Sequence, residues 1–398
     1  MGEADDLRQS VFDGTVQFPV LVLKADALRN NLAEMRDFCA ANDVLLAPHC
    51  KTHLSPELWR MQEDHGARVA TVATVAQAVA FFGSGVRRIL IANEVVDRAG
   101  LLAITEMRRS DPAFEISVLV DSVAAVEIME GILVTAAPEL APLAVLVELG
   151  ARGRRSGSRT LEEVIAVATA VSAANTLQLI GLEGYEGVFG ALSGAARDEA
   201  VEDYLDSGVA ATRALIERGL VATPAVVSFG GSRFYPAVVE RVRRALSAEE
   251  AVVVLRSGCY LTHDHGSYAA SHAEIPSREP KPRLLPAIEV WALVLSLPEP
   301  GLAIVGIGKR DASSDEGLPV PLGIRRDGVP GSISGMTVVK LNDQHAFVSL
   351  SPDAPPLRVG DLMAFGISHP CTTFDKWREA YIVDEDYAVE SIAHTLFH

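Results

Sequence analysis

Short apolar runs rich in Val, Ile and Leu recur through the first two-thirds of the chain, and they limit its fold more than any other feature. They begin near Val44, Val69, Ile89, Ile116, Val145, Leu179, Ala225 and Val252. None alternates apolar with polar residues, as a strand with one wet face would. Runs of this kind suit parallel strands covered on both faces. Segments of helical periodicity lie between them: Pro56 to Gln62, Thr74 to Phe82, Leu161 to Ala173 and Val201 to Arg218. Strand–helix alternation means βαβ units, and about eight of them predict a (β/α)8 TIM barrel. An open doubly wound sheet is the competing arrangement, but no Gly-x-Gly-x-x-Gly follows the first run.

The texture changes after about Tyr268. Ser277 to Pro286 is rich in proline and charge and reads as a linker. Beyond it lie β-like runs at Ile288–Leu295, Leu302–Val305, Thr337–Lys340 and Ala346–Ser349, punctuated by Gly and Pro. These predict a C-terminal all-β domain. Pro19 to Lys24 is a strand ahead of the first helix, free to pair with that domain instead of entering the barrel. The expected organisation is therefore residues 1–25 as an N-terminal strand segment, 26–272 as the barrel and 273–398 as the β domain.

A chain of 398 residues, 49% hydrophobic, can bury such a core. Its net charge of -17 argues against binding nucleic acid or an anionic membrane, which need lysine and arginine against phosphates. Four cysteines without disulfide-like spacing fit a reducing compartment. The first residues are acidic and polar, unlike a signal peptide, and no apolar run reaches membrane-spanning length. A soluble cytoplasmic protein is expected.

In a barrel of this type, chemistry sits where strands end at the carboxyl face. Lys51, in Pro48-His49-Cys50-Lys51-Thr52-His53, follows the first apolar run. Burial there would disfavour the ammonium form and make the amine a nucleophile. Such a lysine suits a Schiff base with pyridoxal 5'-phosphate. Arg155 follows the fifth run and Tyr185 the sixth. Ser228-Phe229-Gly230-Gly231-Ser232 follows the seventh, and Arg256-Ser257-Gly258-Cys259-Tyr260 the eighth. Glycine turns after strands seven and eight match where barrels often hold a phosphate on backbone N–H groups. Near the C-terminus, His369-Pro370-Cys371 places imidazole and thiol two residues apart. That donor pair favours zinc over magnesium or manganese and leaves coordination open for water and substrate. Asp375 and His345 are candidate third ligands or outer partners. The His263-Asp264-His265 cluster is expected in a loop or at a dimer interface.

Taken in order, the Lys51 motif, Gly184-Tyr185-Glu186-Gly187, Gly230-Gly231-Ser232, Gly258-Cys259-Tyr260 and His369-Pro370-Cys371 resemble fold-type III pyridoxal-phosphate enzymes. The likeness is to the branch containing D-serine dehydratase and D-threonine aldolase, and it runs from about Pro19 to the C-terminus. The resemblance implies an alanine-racemase-like barrel followed by a β domain, in a homodimer with sites near the subunit interface. It implies Lys51 as the catalytic Schiff-base lysine, Arg155 and Tyr185 beside the cofactor ring, and Gly230, Gly231, Ser232, Gly258, Cys259 and Tyr260 on its phosphate. His53 is a further catalytic candidate, and His49 and Ser228 are further candidates for cofactor contact. His369 and Cys371 would bind a metal. In that branch the dehydratases look like His-x-Cys with Zn2+, the aldolases like His-x-Asp with Mn2+ or Mg2+. Cys371 therefore points to a lyase that dehydrates a small-molecule β-hydroxy D-amino acid, D-serine giving pyruvate and ammonia. Retro-aldol cleavage to glycine and an aldehyde is the alternative. Racemisation and a non-catalytic cofactor-binding role stand further off, the latter opposed by the long β domain. Cys50 departs from the small or β-branched residue expected there.

Overall fold

A computed structural model describes residues 9–274 and 280–397. The acidic N-terminal segment 1–6 and residues 277–279 of the expected linker lie outside the described residues. Strand β1 (Val20–Lys24) comes first. Strands β2 (Leu45–Leu46), β3 (Ala70–Val72), β4 (Arg88–Glu94), β5 (Glu115–Val120), β6 (Leu143–Leu149), β7 (Leu177–Gly184), β8 (Ala225–Phe229) and β9 (Ala251–Leu255) follow. Each of these eight starts within two residues of its apolar run. They form one parallel sheet in the order β2-β9-β8-β7-β6-β5-β4-β3. Its ends are joined by parallel bridges Leu46–Ala67 and His49–Thr71, which curl the sheet back on itself as a TIM-like barrel.

The loops leaving the carboxyl ends of the strands stop at built helix starts. Ser55, Thr74, Asp97, Ser122 and Thr160 each accept a hydrogen bond from the backbone amide three residues on. Each such cap is worth about 1 kcal/mol and fixes where a loop ends. Among the loops that carry site residues, those after β2 and β6 end at such caps, Ser55 and Thr160.

The second part of the chain is built from strands β10 (Ile288–Glu299), β11 (Leu302–Val305), β12 (Val320–Arg326), β13 (Val329–Gly331), β14 (Met336–Leu341), β15 (Ala346–Leu350), β16 (Leu362–Gly366), β17 (Glu379–Val383) and β18 (Val389–His394). The main path runs β13-β12-β16-β10-β1-β17-β18, so β1 lies inside this sheet and outside the barrel. It pairs antiparallel with β10 and parallel with β17. The long β10 also pairs with β11, which leads on to β15 and β14. Among the described residues no helix is long and apolar enough to cross a membrane.

Inside the barrel, at the carboxyl end, the register sets a polar layer. Glu148 of β6 pairs with Glu183 of β7, which pairs with Ser228 of β8. Side chains at one level of a closed sheet share a layer. This layer is the floor of the site.

Candidate active site

A cavity of about 530 Å³ opens above that floor, between the barrel and the second sheet. Lys51, His49, Arg155, Tyr185, Gly231, Ser232, Gly258, Cys259, His369 and Cys371 all line it. Ten sequence-predicted residues separated by up to 322 positions thus face one space. Lys51 lies on a single 3-10 turn, Cys50–Thr52, held by backbone bonds after β2. It is half-buried, not sealed in the core. Among the described residues its amine has no hydrogen-bond or ion-pair partner. A cation so placed is available to whatever fills the cavity.

The turn treats its two flanking histidines oppositely. His49 faces the cavity, and its Nδ1 is buried with no protein partner. Burial, then the charges of Lys51, Arg256 and Arg155, hold it well below the usual histidine range, so it is neutral. His53, expected to be catalytic, does not line the cavity. Its Nδ1 accepts from the Ser55 amide (3.0 Å), leaving Nε2–H to donate to Gln62 Oε1 (3.2 Å). Burial takes its pKa down to about 4. It braces the wall from behind.

The glycine turns also divide. The amides of Gly230 and Gly231, expected to meet a phosphate, donate to the carboxylate of buried Glu186 at 3.1 and 2.7 Å. Those donors are already used. Gly231 instead makes room: a Cβ there would come within 2.6 Å of the Tyr185 ring. The amides of Gly258 and Cys259 point elsewhere, to the Ser232 hydroxyl at 3.2 and 3.0 Å. A hydroxyl is a movable acceptor that can turn to donate to an anion while the two amides do the same. A Cβ on Gly258 would lie 2.3 Å from the His49 carbonyl, so only glycine lets the loop approach the Lys51 turn. Ser228 and Tyr260 were expected beside the cofactor and are not in the wall. Ser228 accepts from Arg256 Nη1 (2.7 Å) in the floor, and Tyr260 is buried in the core.

Arg256 is the largest omission from the sequence-based site. It is buried, lines the cavity, pairs with Glu183 and donates to the Gly184 carbonyl (3.0 Å). Its local signal is its place, the first residue after the eighth run at the carboxyl end of a barrel strand. Arg155 lies over the Tyr185 ring at 5.1 Å and is tied to Glu148 at 3.3 Å. Tyr268 also lines the cavity. It is positioned by Asp264, whose carboxylate accepts from the amides of Gly266, Tyr268 and Ala269 at the start of the helix Ser267–Glu274. The His263-Asp264-His265 cluster is thus a loop with a capping carboxylate.

Glu148, the partner of Arg155, has a second carboxyl group, Glu94, as its neighbour. Burial and the hydrogen bond with Glu148 raise Glu94 to about 9 from its ordinary 4.5. Between those values the folded protein keeps a proton that the unfolded chain has lost, so stability falls as pH rises through that window. Glu94→Gln removes the titration. Melting-temperature curves from pH 5 to 9 should fall less steeply in the variant than in the parent; parallel curves would contradict the raised pKa of Glu94.

His369 and Cys371 face the cavity from the second sheet. Asp315 accepts from His369 Nδ1 (2.8 Å) and from the Thr372 hydroxyl (3.0 Å). A carboxylate on one imidazole nitrogen leaves the other free and orients it, the usual support of a metal-binding histidine. Cys371 Sγ lies 3.2 Å from the Thr52 hydroxyl and 3.5 Å from Cys259 Sγ. Among the described residues no three His, Cys, Asp or Glu side chains are grouped to hold an ion. His345 is on an exposed turn, and Asp375 is absent from the cavity wall. The donors present fit an ion held by two side chains, its remaining positions open.

Residues 23–243 match the family model described as "Alanine racemase, N-terminal domain", more than half of the chain. Residues 287–383 match "Putative serine dehydratase domain". A D-threonine aldolase of an Arthrobacter species is 28% identical, over 95% of this chain and 91% of its own. A 3-hydroxy-D-aspartate aldolase of Paracoccus denitrificans is also 28% identical, over 84% and 81%. Among solved structures, the D-threonine aldolase of Filomicrobium marinum superposes with a TM-score of 0.81 at 24% identity, covering 96% of this chain and 95% of that one. A D-threo-3-hydroxyaspartate dehydratase, solved as a cysteine-to-alanine mutant in the metal-free form, gives 0.76 at 22%, covering 96% and 98%.

Proposed function

This chain belongs to the alanine racemase N-terminal domain family, and from that membership we propose a pyridoxal-phosphate-dependent lyase acting on a β-hydroxy D-amino acid. The observation that carries the proposal is the amine of Lys51, without a partner among the described residues, in a cavity it shares with Tyr185, Ser232, Gly258, His369 and Cys371. Two relatives that span most of the chain are aldolases by name, one on 3-hydroxy-D-aspartate and one on D-threonine.

When bound, the cofactor supplies an aldehyde that joins to amines and a ring that accepts the electron pair left by a departing α-proton. Lys51 would hold the aldehyde at rest. Its free amine would then serve as the base for the substrate's α-proton. Ser232 with the amides of Gly258 and Cys259 would hold the phosphate. Tyr185, backed by Arg155, would stand beside the ring, and the orphaned Nδ1 of His49 would gain a partner. A metal on His369 and Cys371 supplies a Lewis acid for the β-oxygen. Asp315, by accepting from Nδ1 at 2.8 Å, would orient the other imidazole nitrogen for that ion.

The finer reading is dehydration to a 2-oxo acid and ammonia, favoured by the thiol of Cys371 as a soft donor suited to zinc. D-Serine is one member of the substrate class. Retro-aldol cleavage is the second reading, favoured by the two aldolases that match 84% and 95% of the chain. A homodimer in the cytoplasm is part of the same proposal. The test is a product assay on D-serine, D-threonine and 3-hydroxy-D-aspartate with added zinc. Dehydration predicts 2-oxo acid and ammonia in equal amounts. Glycine with an aldehyde would replace it by the aldolase reading, and turnover of none of the three would remove both.

A further inference from the structure

The barrel and the second sheet each send one cysteine into the cavity. Cys259 comes from the loop after β9, Cys371 from the first turn of the short helix Cys371–Phe374. Their sulfurs are 3.5 Å apart, and the Thr52 hydroxyl lies 3.2 Å from one and 3.7 Å from the other. All four cysteines of the chain are free thiols. The other two, Cys39 and Cys50, are buried and line no part of this cavity. A disulfide has its sulfurs about 2.05 Å apart, so this pair must close by about 1.5 Å, within the reach of side-chain rotation and a small loop shift. Both residues line the cavity, Cys259 buried and Cys371 half-buried, so an oxidant would have to enter through the cavity. Metal binding and disulfide formation need the same sulfur of Cys371.

We infer that Cys259 and Cys371 form a reversible disulfide when the cavity holds no metal, so that metal and disulfide exclude one another at Cys371. The inference rests on the reading of Cys371 as a ligand. The oxidant class is a peroxide. One thiol attacks the peroxide bond, becomes a sulfenic acid and releases water. The other sulfur then displaces the sulfenic hydroxyl as a second water and the S–S bond forms. Two thiols and one peroxide give one disulfide and two waters, with both cysteines oxidised and the peroxide reduced. A dithiol reverses the step by exchange. The product ties the barrel loop that carries the Gly258 and Cys259 amides to the second sheet, and it removes one of the two metal donors.

The test uses the purified full chain, stripped of metal or loaded with zinc, then exposed to hydrogen peroxide. Peptides are mapped by mass spectrometry without reduction, and zinc uptake is measured with a chromophoric chelator. The stripped protein should yield the linked Cys259 and Cys371 peptides. Its zinc affinity should fall by at least about tenfold, since losing even an outer partner of a ligand costs 10–100-fold, and should recover with dithiothreitol. Zinc-loaded protein should oxidise more slowly, and Cys259→Ser should give no linked peptide. Absence of the linked peptide from stripped protein would overturn the inference, as would undiminished zinc uptake by protein that carries the link. If reduced protein takes up no zinc, the metal reading fails, while the peptide map still decides on the disulfide.

Discussion

Lys51→Ala is expected to abolish the near-visible absorbance of the lysine-bound cofactor and to cut turnover by at least about 10³-fold. The amine serves both as the covalent anchor and as the base, and a positioned base alone is worth 10²–10⁴-fold. The variant should still fold. Lys51 makes no hydrogen bond or ion pair with the described residues, so its removal leaves no buried partner unpaired. Cofactor should still bind without the covalent link, through Ser232 and the amides of Gly258 and Cys259. Dialysis should then strip cofactor from the variant faster than from the parent. An unchanged absorbance band in the variant would contradict the role given to Lys51.

The second large effect is expected on the metal side. Removing the ion with a chelator, or replacing Cys371 with Ala, should lower turnover by about 10²–10³-fold, because Lewis-acid help to a leaving oxygen is worth several kcal/mol. Asp315→Asn separates orientation from ligation. The amide keeps the size of the carboxylate but loses its charge, so metal affinity should drop by about 10–100-fold while saturating metal restores most of the rate. Cofactor absorbance in the resting protein should be unaffected by all three treatments. Full activity in protein shown to hold no metal would take the ion out of the chemistry.

The barrel was legible because a parallel strand covered on both faces has to be a continuous apolar run, and all eight runs start within two residues of a strand. Lys51 was legible for the same local reason, standing just past such a run. His49 and His53 look equivalent in sequence. Only the 3-10 turn separates them, facing one toward the cavity and the other toward Gln62. The Gly230-Gly231 pair reads as an anion cradle because its amides are free in any local view. The carboxylate that occupies them belongs to Glu186, more than 40 residues earlier. Asp315 was out of reach too, since it meets His369 across 54 residues of chain. The hairpin of β12 and β13 was missed despite a local signal. Asp327 and Gly328 both take positive φ, the pattern of a two-residue Asp-Gly turn.

The most direct measurement is to reduce the resting protein with sodium borohydride, digest it and locate the label by mass spectrometry. Reduction fixes any carbon–nitrogen bond between cofactor and protein. The account predicts a phosphopyridoxyl mass on the peptide that contains Lys51 and on no other. A label on a different lysine, or a protein that holds cofactor yet yields no labelled peptide, would contradict it.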